Sequence, residues 1–314
     1  MDDPLVSIVL VTRNAGSALA QTLEAIGRQR ADFAYEIVAV DSGSTDGTLA
    51  LLERAACQVV RIEPEMFNHG VTRNLAIARG RGPLVVLLVQ DAVPASDDWL
   101  ATLVAPLRAN ERVAGAFCRQ QPHPDATTLT RHYLDQWVAT SPAPRTAGLG
   151  SARELDGLDP AARLQLCAFD NVCSCVRRSV WERIPFPATP IAEDLEWARA
   201  VLLAGYQLQY VPDAVVLHSH ERSARYEFSR TCVLHARLAE LFGLRTIPTI
   251  GALARAVAGC LRLHLACERL AVRSGAPRAG FGRAVALAVA WPLGQFLGGR
   301  AGTRRRRSLR FDRV

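Results

Sequence analysis

The chain has 314 residues, 49% of them hydrophobic and 21% charged, a globular composition that excludes wholesale disorder and leaves room for one large domain or two smaller ones. All 37 basic residues are arginine, and seven of them crowd into positions 300–314 against one acid, Asp312, so most of the formal charge of +7 sits in that tail. A near-neutral body with a basic tail argues against a surface given over to nucleic acid.

The N-terminal third alternates short β-branched runs with helix-like segments. Strands are expected at 6–11 ("VSIVLV"), 36–40, 58–62 and 83–89, with helices at 17–29, 46–55, 71–80 and 97–109 between and after them. Strands that are apolar on both faces and joined through helices predict an α/β fold, a mostly parallel sheet flanked by helices. Residues 140–165, rich in Pro, Gly, Ala and Ser, read as a loop or lid. A strand and short helix follow over 166–186, then a helix at 191–206, a strand at 208–220 and helices from 224 onward. No internal repeat is visible.

Ligands of parallel α/β sheets bind beyond the carboxyl ends of the strands. Three polar clusters fall there: Thr12-Arg13-Asn14 after the first strand, Asp41 to Gly47 ("DSGSTDG") after the second, and Gln90-Asp91 after the fourth. In "VDSGSTDGT" (40–48), Ser44 or Thr45 can cap the following helix. That reads as an ordinary βα turn, except that Asp41 at the strand end can accept a hydrogen bond from a base or ribose. "FNHGVTRN" (67–74) puts Asn68 and His69 before a helix, with Arg73 and Asn74 inside it. Arginine near the positive end of a helix is unfavourable, so an anion is expected to hold it, against the reading of a solvated surface arginine.

In "IAEDLEW" (191–197), Glu193 and Asp194 start a helix, where acids also serve simply to complement the dipole. "LHSH" ends a strand with His218 and His220 on one face. They are spaced to reach a metal, though satisfied polar histidines are equally common. Eight cysteines show no CxxC pair and read as buried apolar residues in a reducing compartment. The start, "MDDPLVSIVLV", lacks the basic segment of a signal peptide, so a cytoplasmic location is expected.

In this order the motifs "VSIVLVTRN", "VDSGSTDGT", "FNHGVTRN", "LLVQDAVP", "ED" and "HSH" resemble family 2 inverting glycosyltransferases of the GT-A fold, over roughly residues 5–242. The "FNHGxTRN" and "QDAVP" forms look most like bacterial rhamnosyltransferases. The resemblance implies transfer of L-rhamnose from dTDP-L-rhamnose to the hydroxyl of a glycan or lipid-linked glycan, with a divalent metal, Mg or Mn, as cofactor. It implies that Thr12, Arg13 and Asn14 line the nucleotide pocket, that Asp41 binds the pyrimidine edge, and that Asn68, Arg73 and Asn74 contribute to base or diphosphate. Asp194 is then the catalytic base, with Glu193 beside it holding either the acceptor or a supporting contact behind the site. The departure is Gln90, which stands where many relatives carry an acid. An amide suits a ribose hydroxyl better than a hard cation. Asp91 is left as the one carboxylate on the metal, helped by His218 or His220.

Residues 249–273 and 281–298 mix apolar residues with arginine. The uncharged run at 284–297 falls short of the roughly 20 residues that span a bilayer. Followed by the basic tail, this region (243–299) suits either an anionic membrane surface, such as the cytoplasmic face of an inner membrane, or a helical cap on the catalytic domain. The competing readings are a family 2 transferase for another hexose, a catalytically silent nucleotide-sugar binding or scaffold protein, and a dehydrogenase. A catalytically silent nucleotide-sugar binder is disfavoured by retention of Asp41, Arg73 and Asp194, and a dehydrogenase by the lack of GxGxxG after the first strand. No nucleic-acid partner is expected, because no aromatic-basic interleaving accompanies the tail.

Overall fold

The computed structural model describes residues 3–301, so most of the arginine-rich tail lies outside the described residues. The strands in chain order are β1 (Val6–Thr12), β2 (Tyr35–Asp41), β3 (Gln58–Arg61), β4 (Leu84–Val89), β5 (Val93–Pro94), β6 (Val113–Gln121), β7 (Arg145–Ala147), β8 (Cys173–Arg177) and β9 (Gln207–Leu217). The helices are α1 (Gly16–Gly27), α2 (Thr48–Arg54), α3 (His69–Arg79), α4 (Trp99–Ala109), α5 (Thr128–Leu134), α6 (Ala152–Gly157), α7 (Pro160–Leu166), α8 (Arg178–Trp181), α9 (Glu193–Leu203), α10 (Ala224–Phe242), α11 (Ile250–Ser274) and α12 (Phe281–Arg300). The expected loop at 140–165 thus holds three short elements, and β6 arises where no strand was expected.

One sheet runs in the order β3-β2-β1-β4-β8-β6-β9-β5, with β7 added on β9. It is parallel across the first four of these strands and mixed beyond them: β8 runs antiparallel to β4 and β6, while β9 is parallel to β6. The parallel half follows from the βα rhythm of the first ninety residues, where each connection is a crossover through a helix. The antiparallel entry of β8 has no such local signature.

Alternation explains the core. Val6, Ile8 and Leu10 of β1 and Leu84, Val86 and Leu88 of β4 share one face with Leu19 and Ile26 of α1 and with Trp99, Leu103 and Leu107 of α4. The intervening Val9, Val85 and Leu87 are buried as well, and α3 packs on β1 and β2. Each such leucine contributes roughly 2–5 kcal/mol against truncation to alanine. What this packing achieves for function is registration. Thr12 pairs with Asp41 and Val11 with Val89, so the carboxyl ends of β1, β2 and β4 finish at one level.

The described chain divides into two compact units. The first runs up to Gln121 and includes Val138–Gly157 and Gln165–His218; the second comprises Pro122–Trp137, Leu158–Leu164 and the chain from Ser219. In the second unit α12 packs against α10 and α11, and α11 against α5. The approach of α12 to α10 is close. A Cβ on Gly298 would lie 2.3 Å from the Cys232 carbonyl, and one on Gly294 2.9 Å from Thr231. His264 is fully buried between the Tyr133 hydroxyl and the Ala284 carbonyl, each at 2.7 Å, and burial lowers its proton affinity. Helix α11 is long and apolar enough, by length and composition, to cross a membrane. Its Ile250, Leu270 and Val272 are exposed.

Candidate active site

The turns after β1 and β2 are zipped together. Asn14, held at φ 44°, donates its N–H to Ser44 Oγ at 2.8 Å and accepts from the Thr45 N–H at 2.8 Å. Ala15 N–H donates to Thr48 Oγ1 at 2.9 Å, and Gly16 N–H to Asp46 at 3.2 Å, so the second turn satisfies donors at the start of α1. Ser44 and Thr45 are spent on this junction. The Thr48 N–H at the start of α2 is taken by Asp46 instead, at 2.9 Å.

Asp41 lies inside the same knot. It is 1% exposed, and its carboxylate accepts from the Gly43 and Ser44 N–H groups at 3.1 and 2.9 Å, from the Thr12 hydroxyl at 3.0 Å and from the Ser44 hydroxyl. Four donors fill the acceptor capacity of a carboxylate. In this structure Asp41, with Thr12, builds the turn at the end of β2.

Gln90 is also committed. Its Oε1 accepts from the Arg13 N–H at 2.8 Å and its Nε2 donates to the Arg13 carbonyl at 3.4 Å, extending the β1–β4 pairing by one side chain. A carboxylate could make only the first of these bonds, which is a reason for an amide here beyond the ribose contact expected. The Arg13 guanidinium itself has no hydrogen-bond or ion-pair partner among the described residues.

Helix α3 is fastened to the segment that leads into α9. Asn68 caps α3 by accepting from the Val71 N–H at 3.1 Å, and its Nδ2 donates to the Thr189 carbonyl at 3.1 Å. Asn74 donates to the Phe186 carbonyl at 2.8 Å and accepts from Trp181 Nε1 at 2.8 Å and the Phe186 N–H at 3.1 Å. A Cβ on Gly70 would lie 2.0 Å from the Pro187 carbonyl oxygen, so only glycine fits. Asn68 and Asn74, expected at the nucleotide, are thus clamps between chain segments. The anion expected at Arg73 is Glu193: the two form a buried ion pair, their side chains 10% and 7% exposed. Arg73 and Glu193 thus compensate each other, a supporting contact behind the site. Burial opposes the Glu193 charge, but Arg73 and His69 outweigh it and hold its carboxyl below the ordinary range.

Asp194 is partly exposed at the first turn of α9, directly after Ala192, whose left-handed φ of 61° is costly for a residue with a side chain. Its Oδ1 accepts from the Leu195 N–H at 2.8 Å and its Oδ2 from the Asn171 N–H at 3.4 Å. Desolvation, then the charges of Glu193 and Asp170, raise its proton affinity well above that of an ordinary aspartate. A carboxylate so placed is suited to take a proton. Asp170 had escaped notice in the sequence. It accepts from Gln120 Nε2 at 2.7 Å and from the Val172 N–H at 2.9 Å.

Asp91 and His218 face each other, with Nε2 of His218 3.8 Å from Oδ1 of Asp91. His220 follows two residues later, and one ligand atom from each of Asp91, His218 and His220 lies within 4.8 Å of the others. The Nδ1 of His218 is 3.0 Å from Oε1 of Gln120. The donor set, one carboxylate and two imidazoles, fits a divalent cation of the borderline kind and leaves coordination positions for phosphate oxygens.

Residues 7–160 match the glycosyl transferase family 2 profile. The O-antigen chain rhamnosyltransferase RfbN of Salmonella typhimurium is 32% identical over 74% of this chain and 72% of its own length. The chain belongs to glycosyl transferase family 2. A second relative, the O-antigen chain rhamnosyltransferase WbaN of Salmonella anatum, is 31% identical over 74% of this chain and 73% of that one. In fold, this glycosyltransferase is similar to a mannosyltransferase from Pyrobaculum calidifontis solved with GDP-Man and Mn2+, with TM-score 0.51 and 22% identity over 94% of this chain and 73% of that one. It is also similar to glucosyl-3-phosphoglycerate synthase from Mycobacterium tuberculosis, solved with Mn2+, UDP and glucosyl-3-phosphoglycerate, with TM-score 0.53 and 19% identity over 79% and 82%. The expected GT-A architecture and transferase activity are borne out.

Proposed function

We propose that this glycosyltransferase moves L-rhamnose from dTDP-L-rhamnose to a hydroxyl of a glycan or lipid-linked glycan by single displacement with inversion. The placement of Asp194 carries the mechanistic part, since it is a partly exposed carboxylate of raised proton affinity on the sheet's ligand-binding side. The likeness to two O-antigen chain rhamnosyltransferases supports the sugar. Asp194 takes the proton of the attacking hydroxyl as the bond to the anomeric carbon forms and the nucleoside diphosphate departs from the opposite face. Glu193, locked to Arg73, fixes the helix start that holds Asp194 and keeps a neighbouring negative charge on it. Arg13, whose guanidinium is unengaged, is the arginine of the rim best suited to the diphosphate, and Asn14 stands beside it.

Asp91, His218 and His220 would hold a divalent cation, Mg or Mn, which when bound supplies positive charge against the leaving diphosphate. Asp91→Ala is expected to weaken metal-dependent donor binding by more than the ~10–100-fold that losing an outer hydrogen-bond partner costs. Donor titration with manganese and with chelator checks this, and a variant equal to the parent in both conditions removes the metal from the reaction. A panel of nucleotide sugars, screened for hydrolysis with and without manganese, tests the donor. Preference for another hexose would displace rhamnose and leave the transferase intact.

Membrane contact is the second part of the proposal. The exposed Ile250, Leu270 and Val272 share α11 with Arg255, Arg262, Arg269 and Arg273, an amphipathic make-up suited to an anionic surface on the cytoplasmic side. Full-length protein is expected to float with anionic liposomes and a 1–299 truncation to float less. Equal absence from the lipid fraction for both sinks the idea.

A further inference from the structure

Gln120 lies near the end of β6, 4% exposed, and touches two groups at once. Its Nε2 is 2.7 Å from Oδ2 of Asp170, and its Oε1 is 3.0 Å from Nδ1 of His218. The chemistry of these partners fixes which way the amide points. The acceptor at Asp170 demands the amide N–H, so the carbonyl oxygen must face the histidine. A carbonyl oxygen can only accept, so Nδ1 of His218 must carry the proton. In the neutral ring Nε2 then carries no proton, and Nε2 is the atom 3.8 Å from Asp91.

We propose that Gln120 is a positioning residue that sets the tautomer of His218 and, through the same amide, ties that histidine to Asp170, the carboxylate beside the base Asp194. Asp170 acts at a distance through this link. As the acceptor of the amide N–H it holds the amide in this orientation, and so keeps the ring proton of His218 on Nδ1 and off Nε2. The opposite amide orientation would present an N–H to Nδ1 and move the ring proton to Nε2, where it would block coordination. Asp170 also contributes to the raised proton affinity of Asp194, so one short chain of hydrogen bonds joins the metal-side histidine to the surroundings of the base. The coordination part of the proposal rests on the metal reading above, whereas the tautomer does not.

The test uses the full chain with 15N-labelled histidine, free of metal, and reads the ring nitrogens of His218 by NMR. In the parent the proton is expected on Nδ1. Gln120→Leu is expected to shift the Nδ1–H to Nε2–H ratio by about tenfold, the worth of one buried hydrogen bond. It is also expected to weaken manganese binding, read by the EPR signal of free ion, by ~10–100-fold. Asp170→Asn, isosteric, is expected to move the ratio in the same direction by less, because the amide is then free to turn. A parent with its proton on Nε2 overturns the proposal, as does an unchanged ratio in both variants, each confirmed folded by its amide spectrum. His218→Ala reports separately on the metal reading. If it leaves manganese affinity unchanged, that reading fails, while the tautomer ratios still decide the role of Gln120.

Discussion

Asp194→Asn is expected to lower turnover by about 10²–10⁴-fold, the usual contribution of a positioned general base, with nucleotide binding largely unchanged. Steady-state kinetics beside nucleotide titration measure both, and unchanged turnover would take the base assignment away. The same carboxylate sets a pH dependence. Its proton affinity is raised by burial, Glu193 and Asp170, so the acid limb of kcat/KM is expected above the ordinary aspartate value of 3.8. Asp170→Asn removes one of the charges and should move that limb to lower pH. The sign for stability is the reverse of that of a salt-bridged acid. The folded state binds this proton more tightly than the unfolded state, so stability falls as pH rises from the ordinary value through the raised one. Asp194→Asn should therefore be more stable than the parent at neutral pH while being nearly inactive, a pairing that random damage to the fold would not produce.

Breaking the Arg73–Glu193 pair is the second large effect. Both side chains are buried, and each is the other's principal compensation. Glu193→Gln leaves an arginine charge in a poorly hydrated place, and the expected loss is ~3–5 kcal/mol of unfolding free energy. Arg73→Met should cost a similar amount for the mirror reason. The double variant should lose much less than the sum, since removing both charges removes the desolvation cost with them. Denaturant unfolding of the four proteins gives the coupling, and strict additivity would show that the pair does not act as a unit. Activity of Glu193→Gln is expected to fall as well, because the first turn of α9 loses its anchor to α3.

The parallel half of the sheet was legible because its signals are local: runs such as "VSIVLV" and "PLVVLLV" are β-branched and doubly apolar, and the polar clusters follow them at once. The loop at 140–165 was misread because β7, three residues long, is defined by its pairing to β9 and not by its own composition. Strand β6, "VAGAFCRQQ", was missed for a related reason. It is rich in small residues and ends in polar ones, so it carries neither clean alternation nor β-branching, and its place between β8 and β9 is what makes it a strand. That omission hid Gln120, and with it the link from His218 to Asp170. The rule that arginine at a helix start needs an anion was sound for Arg73, but sequence offers no means of telling a ligand's phosphate from a glutamate 120 positions away. Asp41, Asn68 and Asn74 fell where the motifs placed them. Their bonding could not be foreseen, because their partners lie on other elements of the chain.

The clamp between α3 and the approach to α9 bears on how such an enzyme can change its acceptor. Asn68, Gly70, Arg73 and Asn74 fix the carboxylate pair to the fold of the first hundred residues through Trp181, Phe186, Pro187, Thr189 and Glu193, and residues 122–165 make none of these contacts. Segments within that stretch can vary in length and composition without moving the base. Exchange of residues 122–165 between relatives is therefore expected to change acceptor preference and leave the pH dependence set by Asp194 in place, and chimeras cut at residues 122 and 165 measure both.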